Sequence, residues 1–337
     1  MLKKSVIIIS CLVFITSLFS FAPRGHQKVL RTIVIDAGHG RKENGGPDGA
    51  KGSYSFEDDI CYEVAQKLVI LLKKEFPEIK ILQTRPTPNY IGLKERANYA
   101  NQNKGDLFIS IHANAAPPIQ HKELTGYKTI VSYVGKGKKK KKITSQIPQY
   151  RYYTTPNPSK GTETYIWGSH KTEDKDIAIR ENAPMFGEEN YKEKYGDIDP
   201  NSPEFIALSL LKTKQFFKRS AALAGMVEEQ FSKVGRISRG QRQRQVGIWV
   251  LQATAMPSIL VETGYITNPT EENYLNSDTG QQEIAGCISN ALRVYISWLE
   301  KQESGMLNTT KNTLAPSNNT EAFLQMVEDK EKKSRTK

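Results

Sequence analysis

The sequence predicts an α/β fold, a single domain with a mainly parallel sheet covered by helices on both faces and interrupted by two long inserts. Strand-length apolar runs alternate with segments of helical periodicity, the order that a parallel sheet with crossover helices requires. Several runs are apolar at consecutive positions, as strands covered on both faces are. The chain has 337 residues, 38% of them hydrophobic, enough for a sizeable core.

In chain order, a strand over Thr32 to Asp36 precedes a helix from about Glu57 to Lys74. A strand over Ile79 to Thr84, a helix from about Leu93 to Asn103 and a strand over Leu107 to Ile111 follow. Further strand-like runs are Thr162 to Trp167, Gly247 to Leu251 and Ser258 to Val261, with long helices at Phe205 to Phe231 and Gln282 to Leu299. The inserts are Pro117 to Lys160, rich in Lys, Pro, Tyr and Thr, and Lys171 to Pro203, rich in charge. Loops of this length inside a compact domain are functional or disordered. The first reads as a flexible surface loop. After Lys301 the composition turns to Asn, Thr, Ser and Lys, the signature of a disordered tail, with a short helix near Glu321 to Glu328.

Residues 1–22 carry Lys3 and Lys4, an apolar stretch from Val6 to Phe21 and the small-x-small pattern Ser20-Phe21-Ala22 before Pro23. This reads as a secretory signal peptide. Lipid attachment at Cys11 and an uncleaved anchor are the alternatives; the run continues past Cys11 and is short for a span. No later segment has the roughly 20 apolar residues of a membrane helix, so the mature form is expected to have no membrane span. Removal of the signal leaves Cys61 and Cys287, each among helix-forming apolar residues, which reads as two buried thiols rather than a disulfide framework.

The formal net charge of +12 is concentrated in Lys136 to Lys142 and in the tail from Asp329 to Lys337. Solvated loop and tail explain it, or attraction to an anionic wall or membrane surface. Nucleic-acid binding is not expected, because no basic-aromatic module surrounds these runs.

Two histidines close two of the apolar runs: His39 within Thr32 to Gly40, and His112 within Asp106 to Asn114. Sites in open parallel sheets form at the carboxyl ends of strands. A lone histidine there is commonly a hydrogen-bonding surface residue; two in equivalent positions point to a metal. Two neutral imidazoles and a carboxylate are the ligand set of a catalytic zinc with one open position. Glu57, Asp58 and Asp59 can supply the acid. Winding Ser55 to Lys74 at about 100° per residue puts Ile60, Cys61, Val64, Ala65, Leu68, Leu71 and Leu72 on one face. Glu57 falls in the middle of that face, where a carboxylate is costly without a cation or donors; Asp58 lies at its edge and Asp59 opposite. Stabilisation of the helix start is the other role open to Glu57. Ser258 to Val261 is a buried-strand pattern ending at Glu262, an acid at the same sheet edge. Glu262 suits a general base and acid beside a metal-activated water, or a carboxylate orienting a histidine. Asp36 is the stronger candidate for that orienting role.

The segments Ile35-Asp-Ala-Gly-His39-Gly40, Glu57 before a helix, Ser110-Ile-His112-Ala-Asn-Ala115 and Val261-Glu262-Thr-Gly-Tyr-Ile-Thr-Asn-Pro269 together resemble the zinc-dependent N-acetylmuramoyl-L-alanine amidases of the cell-separation type, the amidase 3 family. The resemblance spans roughly Arg31 to Glu300 without the inserts. It implies one zinc held by His39, Glu57 and His112, with Glu262 as catalytic glutamate. The bond cut would join N-acetylmuramic acid to L-alanine of the peptidoglycan stem peptide, in a periplasmic enzyme of wall remodelling and cell separation. A zinc peptidase acting within the stem peptide and a catalytically silent wall-binding scaffold are the rival readings. Gly161 to Gly168 resembles the family's next strand, which makes Pro117 to Lys160 an added loop whose lysines and tyrosines are candidate glycan contacts.

The resemblance also implies that Lys171 to Pro203 is either an ordinary loop or a lid over the metal, displaced by an activator protein of the LytM type. Glu181 is the first candidate to block the metal, ahead of Glu188 and Glu189. Arg242 and Arg244, in Gly240 to Val246 before a strand, are solvent-exposed loop residues or carboxylate-binding groups. Arg85 and Arg96 are expected to hold the fold together.

Overall fold

A computed structural model describes residues 29–303 apart from 44, 138–139, 168–187, 189–202 and 245–247. The expected signal peptide, the tail beyond Glu303, Glu181 and Glu189 lie outside the described residues, and the last helix runs two residues past Lys301. The elements are β1 (Thr32–Ala37), α1 (Glu57–Glu75), β2 (Lys80–Gln83), α2 (Leu93–Gln102), β3 (Leu107–Asn114), β4 (Ile119–Val134), β5 (Lys141–Thr155) and β6 (Thr162–Trp167). They continue with α3 (Pro203–Lys233), β7 (Ser238–Arg244), α4 (Trp249–Ala253), β8 (Ser258–Tyr265), α5 (Pro269–Asn276) and α6 (Asp278–Glu303). Among the described residues, no helix is long and apolar enough to cross a membrane.

Six strands form one sheet in the order β2-β1-β3-β8-β6-β7. All neighbours run parallel except β6 and β8. Both faces of its centre are dry: every residue of β1, β3 and β8 is buried. The larger core packs Ile33, Ile35, Ile109 and Val261 against Leu68 of α1, Val227 of α3 and Ile288 of α6. The smaller one packs Val34, Phe108 and Leu260 against Ala100 of α2 and Leu251 of α4. Helices therefore cover both faces, as expected. Truncating one of these side chains, as in Leu68→Ala, costs roughly 2–5 kcal/mol.

Helix α1 follows from its spacing. Ile60, Cys61, Val64, Ala65, Leu68, Val69 and Leu72 are buried, at the i, i+3, i+4 repeat of a helix on a core. Phe56 gives no side-chain cap; Glu57, Asp58 and Asp59 in the first turn and Lys73 and Lys74 in the last suit the helix dipole instead. Cys61 and Cys287 are separate buried thiols.

Three expectations change. The Gly247 to Leu251 run does not form a strand: Trp249–Ala253 is a helical turn whose Val250 and Leu251 enter the smaller core. The Gly240 to Val246 stretch does not merely approach a strand, since Ser238–Arg244 is itself the sheet's edge strand β7. Finally, the insert from Pro117 is not an irregular loop, because β4 and β5 pair along their whole length as a separate antiparallel hairpin.

Candidate metal centre

His39 and His112 stand at the carboxyl ends of β1 and β3, neighbours in the sheet, so that their rings meet edge to face with centroids 4.9 Å apart. Gly38 makes that approach possible, since a Cβ there would overlap the His112 ring. His39 adopts φ +56°, uncommon for a residue with a side chain. Arginines hold this turn. Arg85 Nη2 donates to the carbonyl of Gly38 at 2.9 Å, and Arg96 Nη2 donates to the carbonyl of His39. Arg96 also meets Asp36 at 3.1 Å, with both side chains buried. Arg85 and Arg96 therefore bind the fold together, as expected.

Glu57 comes to the same point from the first turn of α1 and is fully buried. Its Oε1 lies 3.2 Å from His39 Nε2 and 3.1 Å from His112 Nδ1, and accepts from the Ala113 amide at 3.1 Å. Its Oε2 accepts from the Ala50 amide at 2.7 Å. One donor atom from each of His39, Glu57 and His112 lies within 4.8 Å of the others. Among the described residues this is the group that could hold a metal ion, and two imidazole nitrogens with a carboxylate oxygen suit a divalent cation. Its two neighbours take other tasks: Asp59 pairs with Arg41 at 2.7 Å, whereas Asp58 is buried, and burial raises its pKa.

Glu262 is fully buried on β8, directly across from His112 on β3. Thr263 Oγ1, next in the chain, donates to the His112 carbonyl at 2.8 Å and ties the strand ends together. On its other side Glu262 pairs with Glu163 of β6, so His112, Glu262 and Glu163 form a row across three strands.

Sequence reasoning missed Glu163. Its carboxylate accepts from Arg239 Nε and from the hydroxyls of Tyr165 and Tyr265, the last at 3.2 Å. Burial and then the Glu163 charge push the Tyr265 hydroxyl above its ordinary pKa, keeping it a donor. An acid in the Gly161 to Gly168 run was visible, but its place beside Glu262 depends on antiparallel pairing between segments about a hundred residues apart.

The orienting role expected of Asp36 is not what the structure shows. Its carboxylate is taken by Thr84 Oγ1, Ser110 Oγ at 2.7 Å and Arg96. Asp48 stands beside a histidine instead: its Oδ2 is 3.4 Å from His39 Nδ1, and its Oδ1 is 3.0 Å from Lys42 Nζ. Glu188 accepts from the Tyr90 hydroxyl at 2.8 Å. Arg242 lies on β7 opposite Tyr165, and Arg244 opposite Trp167.

A family described as N-acetylmuramoyl-L-alanine amidase matches residues 33–294. N-acetylmuramoyl-L-alanine amidase AmiC of Escherichia coli O6:H1 is 27% identical over 271 residues, covering 79% of this chain and 52% of that protein. Probable N-acetylmuramoyl-L-alanine amidase AmiB of Haemophilus influenzae is 26% identical over 272 residues, with the same two shares. The chain thus spans about half the length of these two curated relatives. An N-acetylmuramoyl-L-alanine amidase from Clostridium difficile 630, known from its crystal structure, has 24% identity and a TM-score of 0.49, covering 80% of this chain and 97% of that one. With a match over most of its length, from β1 into α6, this chain belongs to the N-acetylmuramoyl-L-alanine amidase family, amidase 3.

Proposed function

We propose that the chain is a zinc-dependent, extracytoplasmic N-acetylmuramoyl-L-alanine amidase that cuts the amide between the lactyl group of N-acetylmuramic acid and L-alanine of the stem peptide. The observation that carries this reading is the convergence of three buried donors, His39, Glu57 and His112, at the sheet edge where Glu262 stands one strand across. Family membership supports the choice of bond. Zinc, held by those three residues, would supply Lewis acidity toward the amide carbonyl and acidify water.

The chain's own groups supply the rest. Glu262 takes the proton from the attacking water and returns it to the leaving nitrogen. A C–O bond forms, the C–N bond breaks, and the products are the lactyl carboxylate and a free α-amine on L-alanine. Glu57 is fixed by the amides of Ala50 and Ala113, which hold its carboxylate in place as a donor to the metal. Asp48 supports the His39 ring by the side away from Glu57.

The segment 171–203 serves as a lid that an activator of the LytM type displaces, with Glu181 its first candidate blocking group. Glu188 supports this reading: its partner Tyr90 pairs with Arg41, two residues beyond His39, so Glu188 itself lies beside the turn that carries this candidate ligand. Digestion of purified peptidoglycan followed by mass spectrometry tests the activity. Intact stem peptides released from unsubstituted glycan are expected; shortened peptides still attached to glycan would overturn it. Removal of residues 171–202 is expected to raise basal hydrolysis.

A further inference from the structure

The β4–β5 hairpin has no part in the sheet or in either core. At about 3.3 Å per residue it is roughly 50 Å long, and all its described residues are exposed except His121, Gly126 and Thr155, which are half-buried. A two-stranded ribbon open on both faces is marginal in water, so this one is built to be covered. Its root lies at the site. β4 begins five residues after Asn114, the end of the strand that carries His112, and β5 leads through Gly161 into β6, which carries Glu163 beside Glu262.

The pairing sorts its side chains. Residues directly opposite in an antiparallel ladder share a face, and alternate pairs share the same one. The register breaks between Leu124 and Gly126, so Leu124 and Tyr127, three apart in the chain, fall on one face. Tyr127 and Tyr133 of β4 then lie with Tyr150 and Tyr152 of β5, all exposed, the most open being Tyr152 at 70%. Lys122 lies over the Tyr150 ring at 3.8 Å on the same face. The opposite face carries Ile130, Val134, Ile143 and Ile147. Between Ile119 and Thr155 the sequence has eight lysines and Arg151 against one acid, Glu123.

We propose that this arm is a docking surface for the polymeric substrate, its tyrosine face lying along a glycan strand and its lysines pairing with stem-peptide carboxylates. The proposal rests on the amidase reading only for the identity of the polymer. A pyranose presents a flat face of C–H groups to an aromatic ring, and tyrosine adds a hydroxyl at little conformational cost. The tyrosines are spread over about 35 Å of strand, which suits a polymer rather than one sugar, and the basic charge complements a carboxylate-bearing one. A polymer lying along the arm is led toward Glu262, because the arm is rooted there.

Co-sedimentation of the full chain with purified peptidoglycan sacculi tests this, since binding is read without hydrolysis. Joint substitution Tyr127→Ser, Tyr133→Ser, Tyr150→Ser and Tyr152→Ser is expected to weaken binding roughly tenfold or more. Ile130→Ser with Ile147→Ser, on the other face of the same hairpin, is expected to leave it unchanged. Lys136→Gln, Lys140→Gln, Lys141→Gln and Lys142→Gln together should weaken it, and lessen the loss of binding between about 0.05 M and about 0.5 M salt. Amide hydrogen exchange along β4 and β5 shows whether each variant keeps the hairpin. Equal binding by the tyrosine variant with its hairpin intact overturns the proposal. So does tyrosine-dependent binding to phosphatidylglycerol vesicles or to a second copy of the chain, with sacculus binding untouched. Failure of the form lacking residues 171–202 to release stem peptides, with tyrosine-dependent binding intact, would sink the amidase reading alone.

Discussion

Gly38 is the residue on which the candidate metal centre turns, because any side chain there enters the space of the His112 ring. Gly38→Ala is therefore expected to displace that ring and lower bound metal below one equivalent, measured by atomic spectroscopy; full occupancy would show that the ring has room to move. Glu262 differs in kind from the three donors. Glu262→Gln removes the proton-transfer capacity proposed for it and preserves the size of a fully buried side chain. Hydrolysis should fall about 10²–10⁴-fold while metal content stays the same. Parallel loss of both would make Glu262 part of the metal's support rather than the base. Arg96 is a further case, since its guanidinium donates to Asp36 and to the carbonyls of Ala37, His39 and Ile91. A lysine cannot reproduce that fork, so Arg96→Lys should cost about 2–4 kcal/mol in urea unfolding.

The start of α1 depends on another element, α5, through Glu272. Its carboxylate accepts from the amides of Ser53, Tyr54 and Ser55 at 2.9, 2.9 and 3.1 Å, shaping the turn that delivers Glu57. Burial pushes the Glu272 carboxyl up, but the hydrogen bonds from Tyr54 and Ser53 outweigh it and hold the pKa below the ordinary glutamate value. A depressed carboxylate adds stability that is fully present above its unfolded pKa, about 4.3, and is lost as pH falls through the folded value. Glu272→Gln should thus cost roughly 1–3 kcal/mol at neutral pH, and its stability should fall less steeply than the parent's below about pH 4. A constant difference at all pH values would assign the effect to packing. Elements of this kind divided in how well the sequence revealed them. β1, β3, β8 and α1 were legible because apolar runs and helical phasing are local and survive any tertiary context. Phasing alone also put Glu57 on the buried side. The Gly247 to Leu251 run misled because a short apolar run does not distinguish a strand from a buried helical turn. β4 and β5 were hidden because they bury little, and the Lys, Tyr, Thr and Pro around Ile130, Val134, Ile143 and Ile147 make the segment read as a loop rather than as two strands. Glu163 and Asp48 escaped because their roles follow from cross-strand register and from a loop's return, which no local pattern encodes.

At the scale of the molecule, the candidate metal centre joins two paired strands to a helix packed on them. His39 follows β1, His112 lies on β3 and Glu57 starts α1, so one ion would tie two neighbouring strands to the helix that follows the first of them. These three donors are buried together, and the unfolded chain does not bring them within reach of one another. A divalent ion must then bind the folded state far more tightly, and its binding energy becomes folding energy. With free metal at about a hundredfold its Kd the gain is roughly 2.7 kcal/mol, or about 5–10 °C in Tm for a domain of this size. Chelator-treated protein should therefore melt several degrees lower by calorimetry, recover on adding zinc, and show no such increment in a His112→Ala variant. The variant supplies the discriminating comparison: the His112 ring packs against Gly38 and His39 whether or not metal is present, so its loss lowers the melting temperature on its own account, and only the disappearance of the zinc-dependent step reports the centre. A zinc-dependent rise that persists without His112 would place the ion elsewhere in the molecule and leave the row of His112, Glu262 and Glu163 without the metal that gives it a hydrolytic role.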